Sequence, residues 1–233
     1  MKDYKILYED KDLLAVYKPA GLATQSARAT VPDLMSRLRR EMLLRNEKTE
    51  LKLVNRLDQP VEGILLVAKT RAAAADLSRQ VSDHIHMEKW YRALVCGKLP
   101  EKEGELVDHL LEDPRTNRSS ICPPGTPGAK ECRLTYRVLE EGEGWSLVEI
   151  RLFTGRRHQI RVQMAHAGAP VMGDRKYGRT EQDGAGHTLY GKADPGGEGL
   201  SLCSFKLVFR HPRTKAPLTF QVEPSFSVPP TAP

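Results

Sequence analysis

The sequence lacks most of what would place a chain in a membrane or around a metal. None of its 233 residues lie in a stretch approaching the roughly 20 apolar residues that span a bilayer. The N-terminal Met1-Lys2-Asp3-Tyr4-Lys5 is charged and has no apolar h-region, so it does not read as a secretory signal. The expected location is the cytoplasm, away from membranes. Cysteine is scarce: Cys96, Cys122, Cys132 and Cys203 are scattered and form no C-x-x-C pair. They read as reduced, unpaired thiols rather than a zinc site or disulfide framework. The seven histidines show no H-x-x-x-H or comparable ligand spacing, which disfavours metal catalysis. No G-x-x-x-x-G-K-[ST] is present, and no G-x-G-x-x-G opens a helix. Phosphoryl transfer and dinucleotide chemistry are disfavoured accordingly, and no nucleotide cofactor is expected.

What is present is an ordinary globular balance, 39% hydrophobic and 28% charged. The length fits one large domain or two small ones. A formal net charge of +6 is consistent with nucleic acid but selects it only weakly. The arginines cluster. Arg37, Arg39, Arg40 and Arg45 fall in one segment, and Arg156, Arg157 and Arg161 in another. The first group reads equally well as a solvated helix face or an RNA contact.

Along the chain, Ile6–Tyr17 reads as two short strands around a charged turn, ended by Lys18-Pro19-Ala20-Gly21. A helix is predicted from Thr30 as N-cap, with Pro32 and Asp33 in its first turn and Leu34, Leu38 and Met42 at helical spacing. Ile64–Ala68 is a continuous apolar run, the mark of a strand buried on both faces. Thr70 then caps an Ala-rich helix to about Ile85, with Leu77, Val81 and Ile85 on one side. Further strands are predicted at Lys89–Cys96, Cys132–Leu139, Trp145–Phe153, Leu200–Phe209 and Pro217–Val222, and a helix over Arg161–Ala167. Asn117–Lys130 and Gly178–Gly199 read as turns and surface loop. Strands outnumber helices without strict interleaving, so the predicted class is α+β with a mixed, mainly antiparallel sheet. The predicted domain covers residues 1–226, followed by a Pro-rich tail over 227–233.

Three segments carry candidate chemistry. Asn55-Arg56-Leu57-Asp58-Gln59-Pro60-Val61-Glu62-Gly63 leads straight into the buried strand, a favourable place for a fixed but accessible carboxylate. On spacing alone, an Arg–Asp pair closing a turn is the better reading. In Lys89–Val95, aromatics interleave with bases, a pattern that stacks on nucleobases or simply fills a core. Thr154–Met164 is a basic loop entering a helix, suited to phosphate, with His158 as a structural or phosphate-donating residue.

Together these segments resemble the RluA-type family of RNA pseudouridine synthases. The family signature H-R-L-D-x-x-T-S-G-L-L-L-x-A-K-T aligns with Asn55–Thr70 and is matched at Arg56, Leu57, Asp58, Gly63, Leu65, Leu66, Ala68, Lys69 and Thr70. The K-x-Y-x-A-x-V-x-G strand is matched at Lys89, Tyr91, Ala93, Val95 and Gly97. G-R-x-H-Q-I-R-V-H is matched at Gly155, Arg156, His158, Gln159, Ile160, Arg161 and Val162. G-D-x-x-Y-G falls at Gly173, Asp174, Tyr177 and Gly178, K-P-x-G at Lys18, Pro19 and Gly21, and H-P at His211 and Pro212. The match runs in order over nearly the whole chain. Asn55 replaces the usual His, Val61-Glu62 replaces Thr-Ser, and Arg157, Gln163 and Cys203 also depart from the pattern.

The resemblance implies a pseudouridine synthase fold with a central catalytic cleft and flanking helices. It implies an isomerase that detaches uracil, turns it and reattaches it through carbon, with no cofactor and no metal. Asp58 would be the catalytic carboxylate, Tyr91 would stack on the uracil and take the C5 proton, and Arg161 would keep Asp58 ionised. Arg56 would enter the RNA stack as the base flips out, with Lys89, Arg156, His158 and Gln159 as further RNA contacts. The implied partner is structured RNA, ribosomal or transfer, and no S4-like N-terminal domain is expected; a monomer is the default expectation when one domain contains the whole site. A base-removing glycosylase and a silent RNA-binding protein are the competing classes.

Overall fold

The structure is a computed structural model that describes residues 4–26, 31–83, 86–178, 180–182, 188–190 and 199–230. Its first elements are β1 (Lys5–Glu9), β2 (Leu13–Lys18), α1 (Leu34–Leu44), β3 (Lys52–Leu53), β4 (Glu62–Ala68) and α2 (Arg71–Asp83). Next come β5 (Glu88–Cys96), β6 (Glu103–Asp113), β7 (Arg118–Cys122), β8 (Lys130–Gly142), β9 (Trp145–Leu152) and α3 (Gln159–His166). The last are β10 (Thr180–Gln182), β11 (Thr188–Tyr190), β12 (Leu202–Arg210) and β13 (Pro217–Gln221). The chain gathers into two compact units, one of Met1–Lys89 with Cys203–Pro224, the other of Trp90–Leu202 with Ser225–Pro233. Among the described residues, no helix is long and apolar enough to cross a membrane.

The first unit is built around β4, the apolar run of the sequence, whose seven residues are all buried. Such a strand needs cover on both faces and partners on both edges. Along one edge it pairs antiparallel with β2, from Leu13 opposite Ala68 to Lys18 opposite Gly63. Along the other, β12 pairs parallel at Glu62 and Gly63, and β3 pairs antiparallel at Val67 and Ala68. A Cβ on Gly63 would stand 2.4 Å from the Ser204 carbonyl oxygen, so the close approach of β12 requires glycine there. β1 extends the sheet beyond β2, and β13 pairs antiparallel with β12. Ala73 and Leu77 of α2 pack on Leu13, Ala15, Ile64, Leu66, Leu207 and Phe209 in one apolar cluster. The Thr70 hydroxyl accepts the Ala73 N–H at 3.1 Å, which caps α2 as its sequence indicates.

In the second unit the sheet order is β5-β9-β8-β6-β7. β8 is its axis, antiparallel to β9 from Leu134 opposite Leu152 and to β6 from Glu103 opposite Arg137. Val162 of α3 packs with Leu110 and Cys132 from the sheet. The α+β class with a mixed, mainly antiparallel sheet is therefore borne out.

Several boundaries differ from those read in the sequence. α1 begins at Leu34 because Asp33, rather than Thr30, is its N-cap. The Asp33 carboxylate accepts the Ser36 N–H, and the Ser36 hydroxyl accepts the Asp33 N–H in return. Thr30, and Ile85 at the predicted end of the Ala-rich helix, lie outside the described residues. Asn117–Lys130 holds β7 as well as turns, because Arg118–Cys122 pairs with β6. Within Gly178–Gly199, β10 and β11 pair antiparallel over three residues each. α3 starts at Gln159, two residues before the predicted start at Arg161.

Candidate active site

In the first unit, Asp58 sits on the loop that enters β4, and that loop is clamped at both ends. Asn55 Oδ1 accepts the Leu66 N–H at 2.8 Å, anchoring the loop's start to the strand it precedes. The Thr24 hydroxyl donates to the Leu57 carbonyl at 2.7 Å and accepts the Leu57 N–H at 3.4 Å. The Gly21 N–H donates to the Gln59 carbonyl at 2.9 Å, and the Gln59 amide donates back to the Gly21 carbonyl at 3.1 Å. The Val61 N–H closes the turn on the Asp58 carbonyl at 3.0 Å. Asp58 itself is half-buried, with Leu57 and Val61 buried on either side and Arg56 exposed. A carboxylate held this way keeps its position while remaining reachable.

Beneath the loop lies a buried ammonium. Lys18, wholly buried at the end of β2, donates from Nζ to the carbonyls of Leu22 at 2.7 Å, Pro19 at 3.0 Å and Gln59 at 3.2 Å. Burial pulls its pKa down to about 8, while the charges of Asp58 and Glu62 favour the ammonium. Glu62 is also buried, and the Tyr17 hydroxyl donates to it at 2.6 Å. Lys89, at the end of the first unit's leading segment, is buried as well.

In the second unit, the segment around α3 forms a polar knot. Arg161 makes a bidentate pair with Asp174, Nε to Oδ2 and Nη2 to Oδ1, both 2.7 Å, with both side chains at most 5% exposed. Burial alone would push the Asp174 carboxyl up, but Arg161 and the N–H groups of Lys176 and Tyr177 outweigh it and hold it low. The Arg161 guanidinium also lies 5.2 Å from the centre of the Tyr177 ring. The Tyr177 oxygen accepts the Ser119 N–H at 2.9 Å and lies 2.7 Å from His158 Nδ1. His158 precedes α3 with φ of 54°, the left-handed region. Gln159 accepts from the Thr154 hydroxyl and the Arg156 N–H, and donates to Arg133 and Gln163. Arg156 is half-buried, with Nε on the Glu131 carbonyl at 3.0 Å.

Tyr91 is buried on β5 at 6% exposure, and its neighbour Trp90 is half-buried, 5.5 Å beneath the Arg151 guanidinium. The candidate residues thus divide between the units, Arg56, Asp58 and Lys89 in the first, Tyr91, Arg156, His158, Gln159 and Arg161 in the second. Sequence reasoning gave no role to Lys18, Glu62, Asp174 or Tyr177. Three of these stood in the matched motifs, and that was the signal available. Glu62 was visible only as a departure from the pattern.

One cluster has the composition of a metal site without its availability. Ligand atoms of Asp10, Asp12 and His211 all lie within 4.8 Å of one another. Yet His211 Nδ1 accepts the Arg213 and Thr214 N–H groups, so Nε2 carries the proton that Asp10 accepts at 2.7 Å. Asp12 is taken by Arg213 Nε at 2.7 Å. The cluster is a hydrogen-bonded staple between two turns.

Comparison with known proteins gives a consistent result. The family model described as RNA pseudouridylate synthase matches residues 12–166. The chain is 37% identical over 181 residues to ribosomal large subunit pseudouridine synthase D of Nitrosomonas europaea, covering 77% of this chain and 51% of that protein. It is 30% identical over 225 residues to the dual-specificity RNA pseudouridine synthase RluA of Yersinia pestis, covering 95% of this chain and 99% of that one. The chain therefore spans about half the length of the first relative and nearly all of the second. Among solved structures, human RNA Pseudouridylate Synthase Domain Containing 1 superposes with a TM-score of 0.72 at 25% identity, covering 96% of this chain and 84% of that one.

Proposed function

The chain belongs to the RNA pseudouridylate synthase family, and we propose that it isomerises specific uridines of ribosomal or transfer RNA to pseudouridine, with Asp58 as the catalytic carboxylate. The observation that carries this reading is the rigid presentation of Asp58. Its loop occupies the family's signature position and is hydrogen-bonded on both sides to Gly21, Thr24 and Leu66.

The chemistry suits a single acid. Glycoside hydrolysis uses two carboxylates because water must be activated as well as the leaving group. An isomerase returns the same base to the same sugar, so one carboxylate suffices, either as nucleophile at ribose C1′ or as base toward the 2′ proton. Tyr91 and Arg161 serve the same reaction, the phenol by stacking on the base and taking the C5 proton, the guanidinium as the cation of the site. Arg56, exposed beside Asp58 in sequence, fills the space left by the flipped uridine. Lys89, Arg156, His158 and Gln159 complete the RNA-handling set.

The names of relatives support ribosomal RNA as a substrate, and that of the relative matched over its full length admits a second RNA class. The enzyme works as a monomer in the cytoplasm, away from membranes, on structured RNA and without a nucleotide cofactor. Residues 1–226 form its catalytic domain and residues 227–233 a Pro-rich tail. Incubation with ribosomal and transfer RNA tests the activity. A base of unchanged mass that reacts with carbodiimide is the expected product, whereas free uracil would make the protein a glycosylase.

A further inference from the structure

We propose that the open sheet face of the second unit is a stacking platform for single-stranded RNA, formed by a ladder of alternating rings and guanidinium groups across β5, β9 and β8. The inference takes RNA as the partner from the proposed function and adds a binding surface on the side of β5 away from Tyr91. Burial alternates along these strands. Tyr91, Ile150, Leu152, Cys132 and Leu134 are buried, and Val162 of α3 packs on that side against Cys132. Trp90, Arg133, Thr135, Glu149 and Arg151, which alternate with them, are half-buried or exposed.

The ladder is continuous. The Arg151 guanidinium lies 5.5 Å from the centre of the Trp90 ring and 5.1 Å from that of Phe153, and the Arg133 guanidinium lies 4.7 Å from Phe153. All three separations are within the roughly 6 Å over which a cation is attracted to a ring face. Register brings the parts together. Thr135 stands opposite Arg151 in the β8–β9 pairing, and just beyond it the Phe153 N–H donates to the Arg133 carbonyl at 3.2 Å. Beside the ladder is a concavity of about 500 Å³ bounded by Trp90, Thr135, Arg137, Glu149 and Arg151. Aromatic rings and guanidinium planes are the two side-chain surfaces on which unpaired bases stack. Here each plane is held by its neighbour, so binding orders little that is not ordered already. Charge points the same way. Arg133 pairs with Glu105, and Arg137 with Glu149 at 3.0 Å, so the face presents planes more than net charge and suits bases rather than a phosphate track. Phe153 also stands two residues before Gly155, where the loop of Arg156, His158 and Gln159 begins, so the platform is continuous with the proposed RNA-handling segment.

The chain has two tryptophans, and Trp145 is buried at 4% exposure against Leu94 and Met172, so Trp90 is the fluorescent reporter of this face. The full chain is titrated with a short oligoadenylate, which contains no uridine and so is no substrate for the isomerisation. A guanosine–cytidine duplex, whose bases are already stacked on one another, is the comparison. Oligoadenylate is expected to quench Trp90, and the duplex to leave its emission unchanged. With a labelled oligoadenylate followed by fluorescence anisotropy, Trp90→Ala and Arg151→Ala should each weaken binding by on the order of tenfold, while Trp90→Phe should keep most of it. Absence of quenching, equal quenching by the duplex, or an affinity untouched by both alanine substitutions overturns the proposal. Pseudouridine formation on ribosomal and transfer RNA is assayed with the same wild-type preparation. Its absence with quenching intact defeats the functional reading and leaves the platform standing.

Discussion

Asn55 stands where the family pattern has histidine, and its amide oxygen shows one use of the position: it accepts the N–H of Leu66, a wholly buried residue of β4. Without that acceptor, a buried donor at the centre of the unit would be unsatisfied, which costs about 1–3 kcal/mol. At the same scale, Asp10 joins two turns. Burial pushes its carboxyl up, but the N–H groups of Asp12 and Leu13, with His211 and Tyr8, outweigh this and hold its pKa at about 2. Its pKa is thus depressed from an unfolded value of 3.8. Its contribution is fully present above that value and is lost as pH falls toward 2. By linkage the contribution is about 2 kcal/mol. Urea unfolding of wild type and Asp10→Asn from pH 5 to pH 2 checks it. The stability difference between them should shrink by about that amount as the acid limit is reached, and a constant difference would contradict the assignment. Cys132 shows the opposite case. Burial, then the nearby Asp108, pushes its thiol up to about 11, so it is a packing residue rather than a nucleophile.

Among the elements, β4 was the most readable. A continuous apolar run bounded by Gly63 and Thr70 has few alternatives to a strand buried on both faces. The glycine that opens it also had a physical reason, visible only once β12 was in place. A methyl group at Gly63 meets the Ser204 backbone, and its φ of 122° disfavours any other residue. Gly63→Ala is therefore expected to cost more than about 2 kcal/mol in urea unfolding, and a loss below about 0.5 kcal/mol would show that β12 shifts freely. The chain from about Glu105 reads as β-rich and irregular, but β6 and β7 were not readable as separate strands. In Glu103–Asp113 only Leu110 is buried, so the strand carries little apolar alternation. Its pairing with β8 from Glu103 to Leu110, and with β7 from His109 to Asp113, makes it a strand. β7 has the sequence Arg-Ser-Ser-Ile-Cys, and its buried Ser119 is explained by distant partners, the Arg157 carbonyl and the Tyr177 hydroxyl. Such contacts leave no local trace. For the same reason, the motif residues Asp174 and Tyr177 could be recognised but not given work. Their work is to hold Arg161, far away in sequence.

At the scale of the whole molecule, the proposed RNA substrate is a polyanion and the chain has a net charge of +6, so binding of that RNA should fall steeply with salt, as it does wherever phosphates are neutralised by basic side chains. Flipping a uridine out of a helix costs a few kcal/mol, and the exposed Arg56, in the wedge role proposed for it, would recover part of that cost. Arg56→Ala is accordingly expected to slow modification of a folded RNA by on the order of tenfold, and that of a short unstructured oligonucleotide far less. Equal slowing on both substrates would place Arg56 outside base flipping. The central claim concerns Asp58 and is tested by one comparison, wild type against Asp58→Asn, on the same RNA and with binding measured alongside. Asn preserves the side chain's size and removes its charge. The expected result is carbodiimide-reactive pseudouridine from the wild type and none from the variant, with RNA still bound by both. Modification by Asp58→Asn at an ordinary rate would show that another group carries the reaction.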